Sequence, residues 1–210
     1  MIPVVGVWLW NWSPYSVFMV YALETVIAGL FNLIKMGIVT AVRKKDTWYN
    51  GPSQTQQSGI FFMFFFLVHY GMFVAIQTGM FVMVSGIGKQ YHAGFFDFFL
   101  HWPEYLGGDA YYMLAGFFIS YAFSMYRNFI RTGEYKTISM MKLMFQPYGR
   151  IFVQQLTVIL GSMFLAFGAG KIFILIFAVI KIFFELFINY DGILNKAMDE
   201  VKKSSDQNNK

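Results

Sequence analysis

Residues 16–45 read SVFMVYALETVIAGLFNLIKMGIVTAVRKK, and the fold turns on this stretch. From Ser16 to Thr40 it is almost continuously apolar, with only Glu24 and Lys35 charged. A helix rises about 1.5 Å per residue, so about 20 such residues cross a hydrocarbon core about 30 Å thick. The run closes on Arg43, Lys44 and Lys45, the kind of basic flank found at the cytoplasmic end of a span.

Working outward, four more stretches of this kind follow. They run from Ile60 to Ile87, from Ala110 to Ile130, from Pro147 to Gly168 and from Lys171 to Tyr190. The last two are separated only by Gly168, Ala169 and Gly170, which makes them antiparallel neighbours. The segment Met1–Trp12 is apolar but too short to cross, and Trp8, Trp10 and Trp12 favour the headgroup level. It is read as a half-span, a re-entrant piece or an interfacial segment. The expected architecture is therefore an all-α, polytopic membrane helix bundle of about five full spans, one domain over residues 1–190, with a polar cytoplasmic tail at 191–210.

Composition agrees. Of the 210 residues, 57% are hydrophobic, 21% aromatic and 13% charged. Soluble domains carry charge on about 25% of residues. The net charge of +5 is not a nucleic-acid signal, because the basic residues sit between the apolar runs. The chain has no cysteine, which excludes disulfides and thiolate metal sites. The first ten residues lack the charged n-region of a signal peptide.

Orientation follows from the basic residues. Arg43, Lys44 and Lys45 fall on the same side as Arg127, Arg131, Lys136, Lys142, Arg150 and the tail lysines Lys196, Lys202 and Lys203. That side is expected to be cytoplasmic, with the C-terminus inside and the aromatic loop Lys89–Asp109 outside. The loop Arg43–Ser58 is polar, rich in Gln, Ser and Asn. The linker Thr132–Gln146 mixes basic residues with Ile138, Met140, Met141 and Met144, and is expected to lie along the inner surface.

Ionisable groups inside a membrane are functional candidates by default. Glu24 lies about 12 Å below the outer end of the first span at 1.5 Å per residue. Asn32 and Lys35 share its helical face. His69 lies mid-way along the second span with Gln77 on the same side. Gln155 stands in the fourth span, and Lys181 and Glu185 form an i, i+4 pair in the fifth. A carboxylate at the depth of Glu24 must be protonated, paired with a cation or open to water. By height, Glu24 and His69 are expected to meet near the midplane. The plainer readings are that Lys35 snorkels to the surface, that Lys181 and Glu185 neutralise each other, and that the amides and His69 are interhelical glue. Glycines in the second and fourth spans are read as helix-packing positions. No nucleotide loop or nucleophile motif is present.

The segment Tyr21–Met36 with Glu24, Asn32 and Lys35, the run Phe66-Leu-Val-His69-Tyr70-Gly71-Met-Phe73, and Pro147-Tyr148-Gly149-Arg150-Ile151 together resemble a family of small bacterial and archaeal membrane proteins known only as a domain of unknown function. The resemblance covers nearly the whole chain. It implies histidines where this chain has Gln77, Gln155 and Asn189, and Asp where it has Glu185. Such a His/Asp set would suit an intramembrane metal or haem. Amides are poor transition-metal ligands, so neither a metal nor any other cofactor is expected here. The leading functional expectation is a non-enzymatic structural or accessory subunit of a membrane assembly, whose partners are membrane lipids and other membrane subunits and not nucleic acid. The alternatives are a transporter or proton-coupled channel using Glu24 with His69 and Lys181 with Glu185, and a metal- or haem-dependent membrane enzyme.

Overall fold

The structure, a computed structural model, describes residues 14–50, 53–85, 101–105, 108–153, 155–156 and 170–208. The Met1–Trp12 segment, most of the Lys89–Asp109 loop and most of the fourth expected span lie outside the described residues.

The described chain is mostly helical. Helix α1 spans Pro14–Arg43, 30 residues. Proline suits its first position, since the first N–H of a helix is unpaired anyway. Arg43 in its last turn complements the carbonyl end. Lys44 ends it in the left-handed region at φ 61, with its N–H donating to Thr40 O at 2.9 Å. Helix α2 spans Gly59–Ser85 and α3 spans Gly108–Met125, the latter extended by a π-turn over Tyr126–Ile130. The short helix α4 covers Met140–Phe145, and residues 148–153 are again helical. Helix α5 spans Gly170–Phe187 and α6 spans Tyr190–Asn208. These bounds agree with the apolar runs at 16–40, 60–87, 110–130 and 171–190 to within a few residues.

Two helices are long and apolar enough to cross a membrane. They are Met19–Arg43 in α1, with mean hydropathy 1.8, and Gly59–Met80 in α2, with mean hydropathy 2.1. At 18 residues each, α3 and α5 reach only about 27 Å at 1.5 Å per residue.

The expectation of an all-α fold needs correction. Between α1 and α2, strand β1 (Lys45–Asn50) pairs antiparallel with β2 (Ser53–Ser58), with Lys45 opposite Ser58 and Asn50 opposite Ser53. The stretch read as a polar loop contains Thr47, Trp48, Tyr49 and Thr55, which favour extended backbone, and a Gly-Pro dipeptide at 51–52, which is a turn signal. Trp48 anchors the hairpin on the first turns of α2, with ring centroids 5.4 to 5.6 Å from those of Phe61, Phe62 and Phe65.

The chain divides into two compact units. One takes α1 up to Val26, α2 from Met72, α3 up to Phe118, and α5 with the helical residues from Arg150. The other takes Ile27–Gly71, Ile119–Gly149 and Asn189 onward. In the second unit, α6 packs against α4 and both strands, burying Met198 and Ser205. The linker Thr132–Gln146 also departs from expectation. Its apolar residues Ile138, Met140, Met141, Leu143 and Met144 are buried by protein rather than laid along a surface. A left-handed Gly133, at φ 72, follows the π-turn, donates its N–H to Ile130 O at 3.1 Å and turns the chain into this segment.

Close approach by a glycine occurs on both helices, at Gly29 of α1 and at Gly59, the first residue of α2, where a Cβ would strike the Thr40 side chain. A methyl group on Gly29 would strike the Tyr70 ring, whereas one on Gly71 would meet nothing within 4 Å. Gly29→Ala should therefore cost about 1–3 kcal/mol through overpacking. Gly71→Ala should show no loss, and Tyr70→Leu should rescue Gly29→Ala. Thermal unfolding of the four proteins in one detergent checks this, and equal melting temperatures for the two glycine variants would contradict it.

Candidate functional site

In the first unit, helix geometry turns Glu24 inward from α1, and its carboxylate Oε1 lies 2.6 Å from Arg150 Nη1. The Glu24 side chain is 5% exposed and that of Arg150 is 31%. Of the three ways to tolerate a carboxylate here, the chain uses a cation. Arg150, counted in the sequence as one of the flanking basic residues, is that cation. A short charge-assisted contact of this kind is strong, but it carries the desolvation cost of two ions. Its main consequence is asymmetry, because removing one partner leaves the other uncompensated. Gln77 and Thr78 are buried on α2 of the same unit, and Thr78 Oγ1 donates to its own helix at Val74 O, 2.8 Å away. Gln155 Nε2 approaches Met80 Sδ at 3.8 Å.

In the second unit, His69 Nδ1 lies 2.5 Å from the Tyr148 hydroxyl. Phe65 stacks on the imidazole at 5.2 Å, while Tyr70 meets the Tyr148 ring edge-on at 5.7 Å. Stacked and edge-on rings at these spacings fix the orientation of both hydrogen-bonding groups.

The same unit pins the segment 138–145 by its own backbone. Arg43 donates to Ile138 O, and Asn32 Nδ2 donates to Leu143 O at 2.8 Å. Asp46 Oδ2 accepts from Met140 N at 2.7 Å and pairs with Arg43 at 3.2 Å. Tyr190 OH donates to Phe145 O at 3.0 Å. Asn32 and Arg43 are separated by eleven positions on α1, about 16 Å at 1.5 Å per residue. Since Arg43 holds Ile138 and Asn32 holds Leu143, the segment runs antiparallel to α1 alongside it.

Lys35 places its ammonium 5.6 Å from the centre of the buried Phe129 ring, a cation–π contact on the protein side of α1. Asn189, where the family resemblance implies histidine, is the N-cap of α6. Its Oδ1 accepts from Gly192 N at 2.9 Å.

The sequence-picked residues are thus distributed over distinct contacts. Glu24 pairs with Arg150 and His69 with Tyr148, each within a different unit. Asn32 serves a backbone carbonyl. The side chains of Lys181 and Glu185 lie outside the described residues. Among the described residues, no three His, Asp or Glu side chains converge. The partners Tyr148 and Arg150, and the clamp residue Asp46, were not picked out as site residues. The signal was available in Tyr148-Gly149-Arg150, a phenol and a guanidinium just past Pro147, where an apolar run begins. Those are the groups that a buried histidine and a buried carboxylate require.

A double-mutant cycle should expose the ion pair. Glu24→Leu strands a part-buried guanidinium and should cost about 3 kcal/mol or somewhat less, given the partial exposure of Arg150. Glu24→Gln still accepts a hydrogen bond and should cost less. Adding Arg150→Met to Glu24→Leu should recover most of the loss. Strictly additive losses in denaturant-induced unfolding would show that the two residues are uncoupled.

The sequence profile of a family of unknown function, DUF6498, matches residues 1–209. No curated protein and no solved structure matches the chain. With all but its last residue covered, the chain belongs to this family of unknown function.

Proposed function

We propose that this chain is a multi-pass integral membrane protein with a cytoplasmic C-terminus, acting as a non-enzymatic structural or accessory subunit of a membrane assembly. The observation that carries this reading is the inverted polarity of α1. Glu24 and Asn32 are 4% and 5% exposed, while Leu30 and Ile34 on the same helix are 48% and 41% exposed. Water would drive the opposite arrangement, whereas lipid favours this one. Helix α2 supports it with exposed Ile60, Phe64, Leu67, Val68, Met72, Ile76 and Met83. Spans through α1, α2, α3 and α5, with the apolar run after Pro147, give the count of five. The flanking Arg43, Lys44 and Lys45 favour a cytoplasmic hairpin.

The structural role is supported by what the polar interior does. Glu24 neutralises Arg150, Asn32 and Arg43 hold backbone carbonyls, and His69 holds Tyr148. A relay based on Glu24 would have to break a 2.6 Å ion pair at every turnover.

Because the chain has no cysteine, single introduced thiols report cleanly. In intact cells, Gly107→Cys should react with an impermeant thiol reagent, whereas Ser53→Cys should react only after permeabilisation. Equal labelling from outside would overturn the orientation, and extraction by alkaline carbonate would overturn membrane integration. In proteoliposomes, proton flux should be the same for the native chain and for Glu24→Gln. A flux abolished by that change would favour a transporter.

A further inference from the structure

Strand β2 has an open edge. Among the described residues, only β1 pairs with it. Ser53, Gln54, Thr55, Gln56 and Ser58 are exposed, while the middle of β1 is half-buried and tied through Asp46 to Met140 N. Unprotected edges usually carry charge, proline or a bulge. The sequence Ser53-Gln54-Thr55-Gln56-Gln57-Ser58 has no charge and no proline, and it pairs with β1 in continuous register.

The direction of the backbone groups is fixed by the ladder. Gly59 N donates to Lys44 O at 2.8 Å, so Lys44 and Gly59 form a hydrogen-bonded pair. Hydrogen-bonded and non-bonded pairs alternate in an antiparallel ladder. In the register Lys45 to Ser58, residues 57, 55 and 53 therefore face β1 with their N–H and C=O groups. Those of Gln54, Gln56 and Ser58 point away from it. Ser58 also begins α2, its Oγ accepting from Phe61 N at 3.2 Å, so its carbonyl is directed into the helix. The free edge therefore consists of the N–H and C=O groups of Gln54 and Gln56.

We propose that this edge pairs with the same edge of a second copy of the chain, antiparallel about a two-fold axis through Thr55. A two-fold axis normal to the sheet requires the central residue to face itself, because facing residues share a side of the sheet. Centring on Thr55 places Gln54 opposite Gln56 of the second copy. It does so twice, and every outward group of the two glutamines is then satisfied. Centring on Gln56 would instead call on the Ser58 carbonyl already used by α2. On the side-chain level the match is neutral throughout. Thr55 faces Thr55, Gln54 faces Gln56, and Ser53 faces Gln57, all of them able to donate and accept. An edge that suits itself in this way fits a second copy better than a partner of fixed charge.

The test uses the full-length chain purified in mild detergent. Residues facing each other in a non-bonded pair have Cα atoms about 4.5 Å apart, within disulfide range. Thr55→Cys should therefore give a disulfide-linked dimer under mild oxidation. Two Ser53 residues would lie about 14 Å apart, four positions at 3.4 Å each, so Ser53→Cys should not. Gln56→Pro removes an outward N–H that β1 does not use and keeps the β1 ladder, losing within the hairpin only the exposed Gln56 Nε2–Thr47 Oγ1 hydrogen bond, and Thr55→Lys sets two lysines face to face. Each should convert the two-copy particle to a folded single copy by light scattering, and Thr55→Lys should do so with an unchanged melting temperature for its isolated subunit. A single-copy native particle, equal cross-linking at both cysteines, or a dimer that survives both Gln56→Pro and Thr55→Lys would overturn the proposal.

Discussion

Much of this structure depends on one constraint. Helix α1 buries Glu24 and Asn32 among apolar residues such as Phe31 and Met36 and exposes aliphatic ones such as Leu30 and Ile34, so its polar groups must be satisfied by protein. Glu24 finds a guanidinium, Asn32 a carbonyl, and Arg43 a carbonyl together with a carboxylate. An unsatisfied buried group would cost a few kcal/mol, a large fraction of the stability of any domain. These residues therefore restrict which segments can lie beside α1.

The segment they select is 138–150. It holds a six-residue helix that stops at Gln146 and Pro147, and the end N–H and C=O groups of so short a helix need partners outside it. Side chains of α1 and β1, together with Tyr190, supply them at Ile138, Met140, Leu143 and Phe145. Non-helical backbone can sit among apolar helices only when protein covers it. The burial of Ile138, in the extended stretch just before α4, shows that it is covered. The basic and methionine-rich character of this linker, read in isolation, resembles that of a surface-lying amphipathic helix. Its burial depends on hydrogen bonds to residues roughly a hundred positions earlier, which no local pattern encodes.

That difference marks how far the sequence could be read. The long helices were legible because twenty or more apolar residues permit few alternatives, and α1, α2 and α5 lie where the runs predict. The hairpin was hidden by polar side chains, although Thr47, Trp48, Tyr49 and the Gly51-Pro52 dipeptide carried its local signal. Glu24, His69 and Asn32 were legible as inward-facing residues because a polar side chain in an apolar run has few places to go. Their partners were not, since complementarity is pairwise. Arg150 reads as a flanking charge until Glu24 is placed beside it, and Gly29 reads as an ordinary helix glycine until the Tyr70 ring is found against it.

The same logic gives Asn189 a meaning that ligand chemistry does not. Judged as a histidine replacement, an amide is a loss. Judged by its geometry, it accepts from Gly192 N and its own carbonyl accepts from Ile193 N, so it starts α6. Asparagine is among the best residues for that position, and a good cap is worth about 1 kcal/mol. The start matters because the next residue is Tyr190. Its hydroxyl reaches Phe145 O, and its ring lies so close to Gly149 that a Cβ there would come within 2.9 Å of it. A cap that fixes where α6 begins therefore also fixes where Tyr190 meets the internal segment. In this chain the position is used to set the register of a helix against the polypeptide that α1 has already selected.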